Sequence, residues 1–141
     1  MLRLLPSLTV IATLAVAPVA FAQSAIAPEP VAPSAGKSLA RGAAFTFKAR
    51  LDEASEASGV FLKVSKSKRV GSDGTLANDI YFREMKVSGN VFAKKVERFP
   101  ALSSHFLNRR GRYYWQVYAI DCSDGTDDCN IESSIRTFRI R

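Results

Sequence analysis

From Ala43 onward apolar and polar residues alternate: Phe45, Phe47, Ala49 and Leu51 share one face, and Thr46, Lys48 and Arg50 share the other. Successive side chains of a strand point to opposite sides, so a period of two predicts a strand buried on one face. Residues 52–59 are polar, end in glycine and read as a turn. The alternation then resumes, with Val60, Leu62 and Val64 set against Phe61, Lys63 and Ser65. Residues 66–79 are basic and contain Gly71 and Asp73-Gly74, a strong turn signal. Residues 80–87 predict a strand closed by Ser88-Gly89-Asn90, and residues 91–96 a further short strand. Residues 99–105 read as a loop or helical turn. Residues 112–121 and 131–141 predict a hairpin around a polar turn flanked by Cys122 and Cys129.

No stretch beyond the N-terminal region shows a sustained helical period with capping signals. Six or seven short, turn-separated strands in about 100 residues argue for an all-β fold, an antiparallel β-sandwich of about seven strands, with a barrel as the alternative. A length of 141 residues fits one domain. Apolar residues at 47% and charged residues at 23% exclude wholesale disorder.

The N-terminal 22 residues follow a different rule. Arg3 supplies a positive charge, residues 4–19 are uncharged and largely apolar, and Ala20-Phe21-Ala22 fits the small-x-small site of a secretory signal peptide. Cleavage is expected after Ala22, and contact with a membrane only if the segment is retained as an anchor. Pro6 and Pro18, with Thr9 and Thr13, interrupt it as a span. Residues 23–38 hold Pro28, Pro30 and Pro33 without apolar period and read as a linker or leader strand ahead of a sandwich over 39–141. Pro33-Ser34-Ala35-Gly36 is expected to open the first edge strand, where proline is tolerated.

Export would place Cys122 and Cys129 in an oxidising compartment, where they are expected to pair. Two cysteines and one histidine, His105, are too few for a structural zinc site. The chain carries +7; without Arg3, 19 basic side chains face 13 acidic ones and leave +6. Such a balance serves solubility and favours acidic partners. The cluster Arg109-Arg110-Gly111-Arg112 and the run Lys63, Lys66, Lys68 and Arg69 could extend a basic surface, although charge runs are usually solvated loops, and nucleic acid is disfavoured as a partner.

The run from Leu107 through Arg109, Gly111 and Tyr113 into Trp115, Val117 and Ala119 resembles the tyrosine corner and penultimate strand of fibronectin type III domains. Arg109 stands where that family often has proline. The resemblance, which spans roughly residues 33–141, implies a fibronectin III-like (immunoglobulin-like) sandwich. Tyr113, Trp115 and Val117 would then point inward with Phe138 and Ile140 of the last strand, and with Phe45 and Phe47 of an early one. Leu62 is expected in the same core. The tyrosine hydroxyl would bond a nearby backbone group. The family implies an adhesive, spacer or ligand-displaying module, although such a fold hosts many functions.

An enzyme needs a nucleophile or metal with a positioned base. His105 follows Ser103-Ser104 in sequence only, and no Gly-x-Ser-x-Gly motif is present. No catalytic residue, cofactor or metal is expected. Asp121, Asp124, Asp127 and Asp128 offer hard oxygens, but their spacing does not match an EF-hand loop. They read as an acidic turn, or as a recognition loop held rigid by the disulfide. If Trp115 and Val117 point inward, Tyr114, Gln116 and Tyr118 point outward, beside Phe61 and Lys63 on one neighbouring strand and Ile135, Thr137 and Arg139 on the other. Aromatics among cations can stack on sugars and meet anions. The sequence thus suggests a secreted, non-catalytic module binding an extracellular protein or a cell-envelope polysaccharide through this face or the acidic loop. The alternatives are a structural spacer and, last, a small secreted enzyme.

Overall fold

Val60 and Leu62 alternate with more exposed neighbours, as do Phe47 and Ala49, and these four are buried together with Val64 and Leu51. They belong to two sheets that face each other in the computed structural model, which describes residues 27–51, 57–96, 106–122, 125 and 129–141. The expected signal peptide, the acidic positions Asp124, Asp127 and Asp128, and His105 lie outside these residues.

The described residues form β1 (Glu29–Ala32), β2 (Lys37–Leu39), β3 (Phe45–Arg50), β4 (Gly59–Ser65), β5 (Asp79–Glu84), β6 (Lys86–Ser88), β7 (Val91–Val96), β8 (Gly111–Ile120), β9 (Asn130–Glu132) and β10 (Arg136–Ile140). A 3-10 turn, Phe106–Asn108, precedes β8. One sheet has the order β1-β3-β7-β6; the other has the order β2-β10-β8-β4-β5, with β9 also on β8. Trp115, Tyr113, Phe47 and Phe138 are the largest buried side chains between them. The Phe47 ring meets Trp115 at 5.2 Å and Phe138 at 5.6 Å edge to face, a favoured aromatic arrangement. Tyr113 stacks on Phe138 at 5.1 Å and donates its hydroxyl to the Arg109 carbonyl at 2.5 Å. This is the corner that the sequence resemblance implied.

The sheets contain more segments than the seven expected, because three runs of chain are broken. The leader divides at Pro33, which has no N–H to continue a ladder. Before it, β1 pairs antiparallel with β3; after it, β2 pairs with β10 in parallel, so the sandwich is not wholly antiparallel. The strand expected over 80–87 divides at Met85. There β5 leaves β4 and β6 joins β7 in the other sheet, while buried Met85 donates its N–H to the Val60 carbonyl at 2.9 Å. The last strand of the hairpin divides at a bulge. Tyr118 pairs with Glu132, but Trp115 pairs with Arg136, one residue out of step. The Ser133 hydroxyl fills the gap, accepting the Val117 N–H at 3.0 Å. At the tip Asp121 donates its N–H to the Cys129 carbonyl, and Cys122 and Cys129 are bonded with their Cα atoms 4.7 Å apart.

Candidate functional site on the outer face of the larger sheet

The pairing register orders the outward side chains into rows. Glu132, Tyr118, Phe61 and Glu84 lie across four strands. The next row holds Gln116, Lys63 and Phe82; the next, Thr137, Tyr114 and Ser65; the last, Arg139 and Arg112.

Alternation places Gln116 and Tyr118 in solvent, and the structure corrects this: they are only 3% and 8% exposed. Gln116 is covered by the connection from Lys66 to Asn78, which folds back over the middle of the face rather than standing off as a turn, and Tyr118 packs against the Phe61 and Phe82 rings. Gln116 Oε1 accepts the Leu76 N–H at 2.8 Å, and its Nε2 donates to the carbonyls of Ser133 at 3.1 Å and Gly74 at 3.4 Å. Lys63 Nζ donates to Thr75 Oγ1 at 2.6 Å and stands 3.6 Å from an Asp73 carboxylate oxygen. The Thr75 hydroxyl bonded to Asp73, seconded by a backbone bond and Lys63, holds that carboxyl below its ordinary pKa. Thr75 and Leu76 are fully covered. Glycine suits position 74 because its φ of +74° is a left-handed conformation that other side chains rarely adopt.

The crossover leaves two accessible ends. At one, Phe61 stacks on Phe82 and on Tyr118, each at 5.5 Å, and Phe82 and Tyr118 are nearly parallel at 6.4 Å. Lys63 Nζ lies 5.6 Å from the Tyr118 ring centre. Burial, then the negative charges of Asp73 and Asp79, push the Tyr118 phenol above its ordinary pKa. It therefore stays neutral at physiological pH and cannot act there as a phenolate. Phe82 is 41% and Ile80 37% exposed, both on the outermost strand.

At the other end Arg112 and Arg139 are Cα partners and both exposed, with half-buried Tyr114 and Thr137 one row in. A groove of about 320 Å³ is lined by Gly36, Arg112, Thr137, Phe138 and Arg139. Lys66 Nζ sits 3.5 Å from the centre of the Tyr113 ring, and burial, with Arg109 nearby, lowers its pKa.

Of the sequence-derived binding positions, Phe61, Lys63 and Tyr118 come together at the aromatic end, while Tyr114 and Arg139 lie at the basic end. Asp124, Asp127 and Asp128 lie outside the described residues. Tyr113, Trp115, Val117, Phe47, Leu62 and Phe138 are all buried. Arg112 was legible by carrying the 114, 116, 118 alternation one step back. Phe82 and Ile80 were hidden in a stretch of mixed pattern, and of the few apolar residues in 66–79 Val70 is exposed while Leu76 packs on the sheet.

No family model and no curated protein matches the chain. Solved structures do. The fibronectin(III)-like modules of Clostridium thermocellum CbhA align over 81% of this chain and 45% of theirs, with TM-score 0.51 and 16% identity. The M1 domain from titin aligns over 75% of this chain and 84% of its own, at TM-score 0.33 and 10% identity. The chain thus spans less than half the length of the first of these structures. With its two sheets, buried tyrosine corner and inter-sheet aromatic core, the chain is an all-β sandwich with the fold of the fibronectin III-like modules.

Proposed function

We propose that the chain is a secreted, non-catalytic binding module that recognises an extracellular protein or a cell-envelope polysaccharide through the aromatic end of this outer face. The observation that carries the reading is the stack of Phe82, Phe61 and Tyr118, whose outermost ring is 41% exposed. The sandwich core lies on the opposite face of the same strands, so packing between the sheets does not explain an aromatic at position 82. Flat rings flanked by Lys63, Glu84 and Glu132 suit a ligand that is part apolar surface and part hydroxyls, such as a sugar ring. The disulfide and the signal-like N-terminus support export. The non-catalytic part rests on a sequence without a nucleophile motif and with one histidine.

The test is retention of the purified protein on envelope fractions and secreted proteins of its source. Phe82→Ala should cut retention at least about tenfold, the usual weight of an aromatic anchor. The reading fails if wild type is retained on none of these fractions, or if Phe82→Ala is retained as well as wild type.

A further inference from the structure

We propose that the groove between Arg112 and Arg139 binds the oxyanion groups of an acidic polysaccharide. Like charges directly opposite on neighbouring strands destabilise a sheet. Arg112 and Arg139 occupy such a position on β8 and β10, and among the described residues neither is in an ion pair. A like-charged pair that opposes folding and has no carboxylate in an ion pair with it among the described residues is relieved by an anion from outside.

The chemistry of the lining fits one. Each guanidinium presents N–H groups in a planar fork that grips a sulfate, phosphate or carboxylate by two parallel bonds. Cα partners lie about 4.5 to 5.5 Å apart, so both forks can reach one anionic group or two neighbouring ones. The Thr137 hydroxyl beside them adds a neutral donor. A volume of about 320 Å³ is at the small end for ligand sites and suits one charged sugar unit. Single-stranded nucleic acid is a poorer fit, because it stacks successive bases on several aromatic faces. Half-buried Tyr114 lies one row in, and the three-ring stack lies at the far end, beyond the crossover tied to Gln116.

The proposal extends the reading as a binding module, and the variants separate the two ends. Binding of the full chain to dextran sulfate, neutral dextran and a single-stranded oligonucleotide is measured by calorimetry at two salt concentrations. Wild type should bind dextran sulfate, more weakly at high salt, and ignore neutral dextran. Arg112→Gln and Arg139→Gln should each lose about tenfold or more, as expected for lost charged hydrogen bonds. The control Lys48→Gln, which removes the same single charge from the outer face of the other sheet, should lose less than about twofold. Phe82→Ala should bind dextran sulfate as wild type does, whatever its effect at the aromatic end. Equal losses in the groove and control variants would reduce the effect to net charge and overturn the proposal. It is also overturned by absence of dextran sulfate binding, or by tighter, arginine-dependent binding of the oligonucleotide.

Discussion

Gln116, on the outward side of β8, accepts the backbone N–H of Leu76 at 2.8 Å across 40 residues of chain. Its amide also serves the Ser133 and Gly74 carbonyls, so one side chain anchors the crossover to the sheet. Gln116→Leu keeps the volume but leaves the buried Leu76 N–H and Ser133 carbonyl unsatisfied, at about 1–3 kcal/mol each. Unfolding in urea should show a loss of about 3 kcal/mol, and the amides of residues 74–78 should exchange faster than those of β8. An unchanged midpoint would show that the crossover is held by its other contacts.

Tyr113→Phe retains the ring stacked on Phe138 and removes the hydroxyl that bonds the Arg109 carbonyl. A loss of about 1 kcal/mol is expected in chemical denaturation. Trp115→Ala, at the centre of the same core, should cost about 3–5 kcal/mol. The corner assignment fails if Tyr113→Phe matches wild type.

Alkaline pH should unfold the protein as its buried phenols ionise. Burial holds Tyr81, Tyr113 and Tyr118 above the free value of 10.0. The unfolded chain therefore releases these protons first as pH rises. The stability they confer is complete below pH 10.0 and is lost as pH climbs through their folded values. Lys66 acts in the opposite direction: its pKa is lowered below 10.5, so raising pH through that window favours the folded state. Three phenols oppose one ammonium, so phenolate absorbance should rise together with loss of near-ultraviolet dichroism above pH 10. Ionisation at the free-phenol value with the fold intact would contradict this.

Breaking the Cys122–Cys129 bond opens a loop with a sequence separation of only 7. The double variant Cys122→Ser/Cys129→Ser should lose about 2–3 kcal/mol in urea unfolding while keeping its β-sheet dichroism. The β8–β9 ladder and the Asp121 to Cys129 backbone bond are what preserve the hairpin. Loss of the fold altogether would show that the staple carries more than its loop entropy.

What alternation could reveal was the inner face. Phe47, Leu62, Trp115 and Phe138 each sit in a period-two pattern that burial alone dictates, and each is in the core. Alternation gives direction, however, and not cover. Gln116 and Tyr118 point outward as expected, yet Gln116 is buried by a crossover whose residues carry no period of their own, and Tyr118 by neighbouring rings on the same face. The break at Met85 was equally silent, because an apolar residue fits a continuing strand as well as one that changes sheets. The basic pair was half legible: Arg139 stood on the outward face, but its partner Arg112 depends on a register that only the bulge at Ser133 sets.

Each open side of the sandwich is formed by a single run of chain that serves both sheets, β1 with β2 at one side and β5 with β6 at the other. Exposed edges invite addition of further strands, and short edges or prolines discourage it. Here β1 carries Pro30, and β2 and β6 are three residues each. The six-residue β5 is the exception, and it is also the strand that displays Ile80 and Phe82. Self-association at high concentration should therefore begin at β5, and a ligand seated on Phe82 would act as its chaperone by covering the same edge.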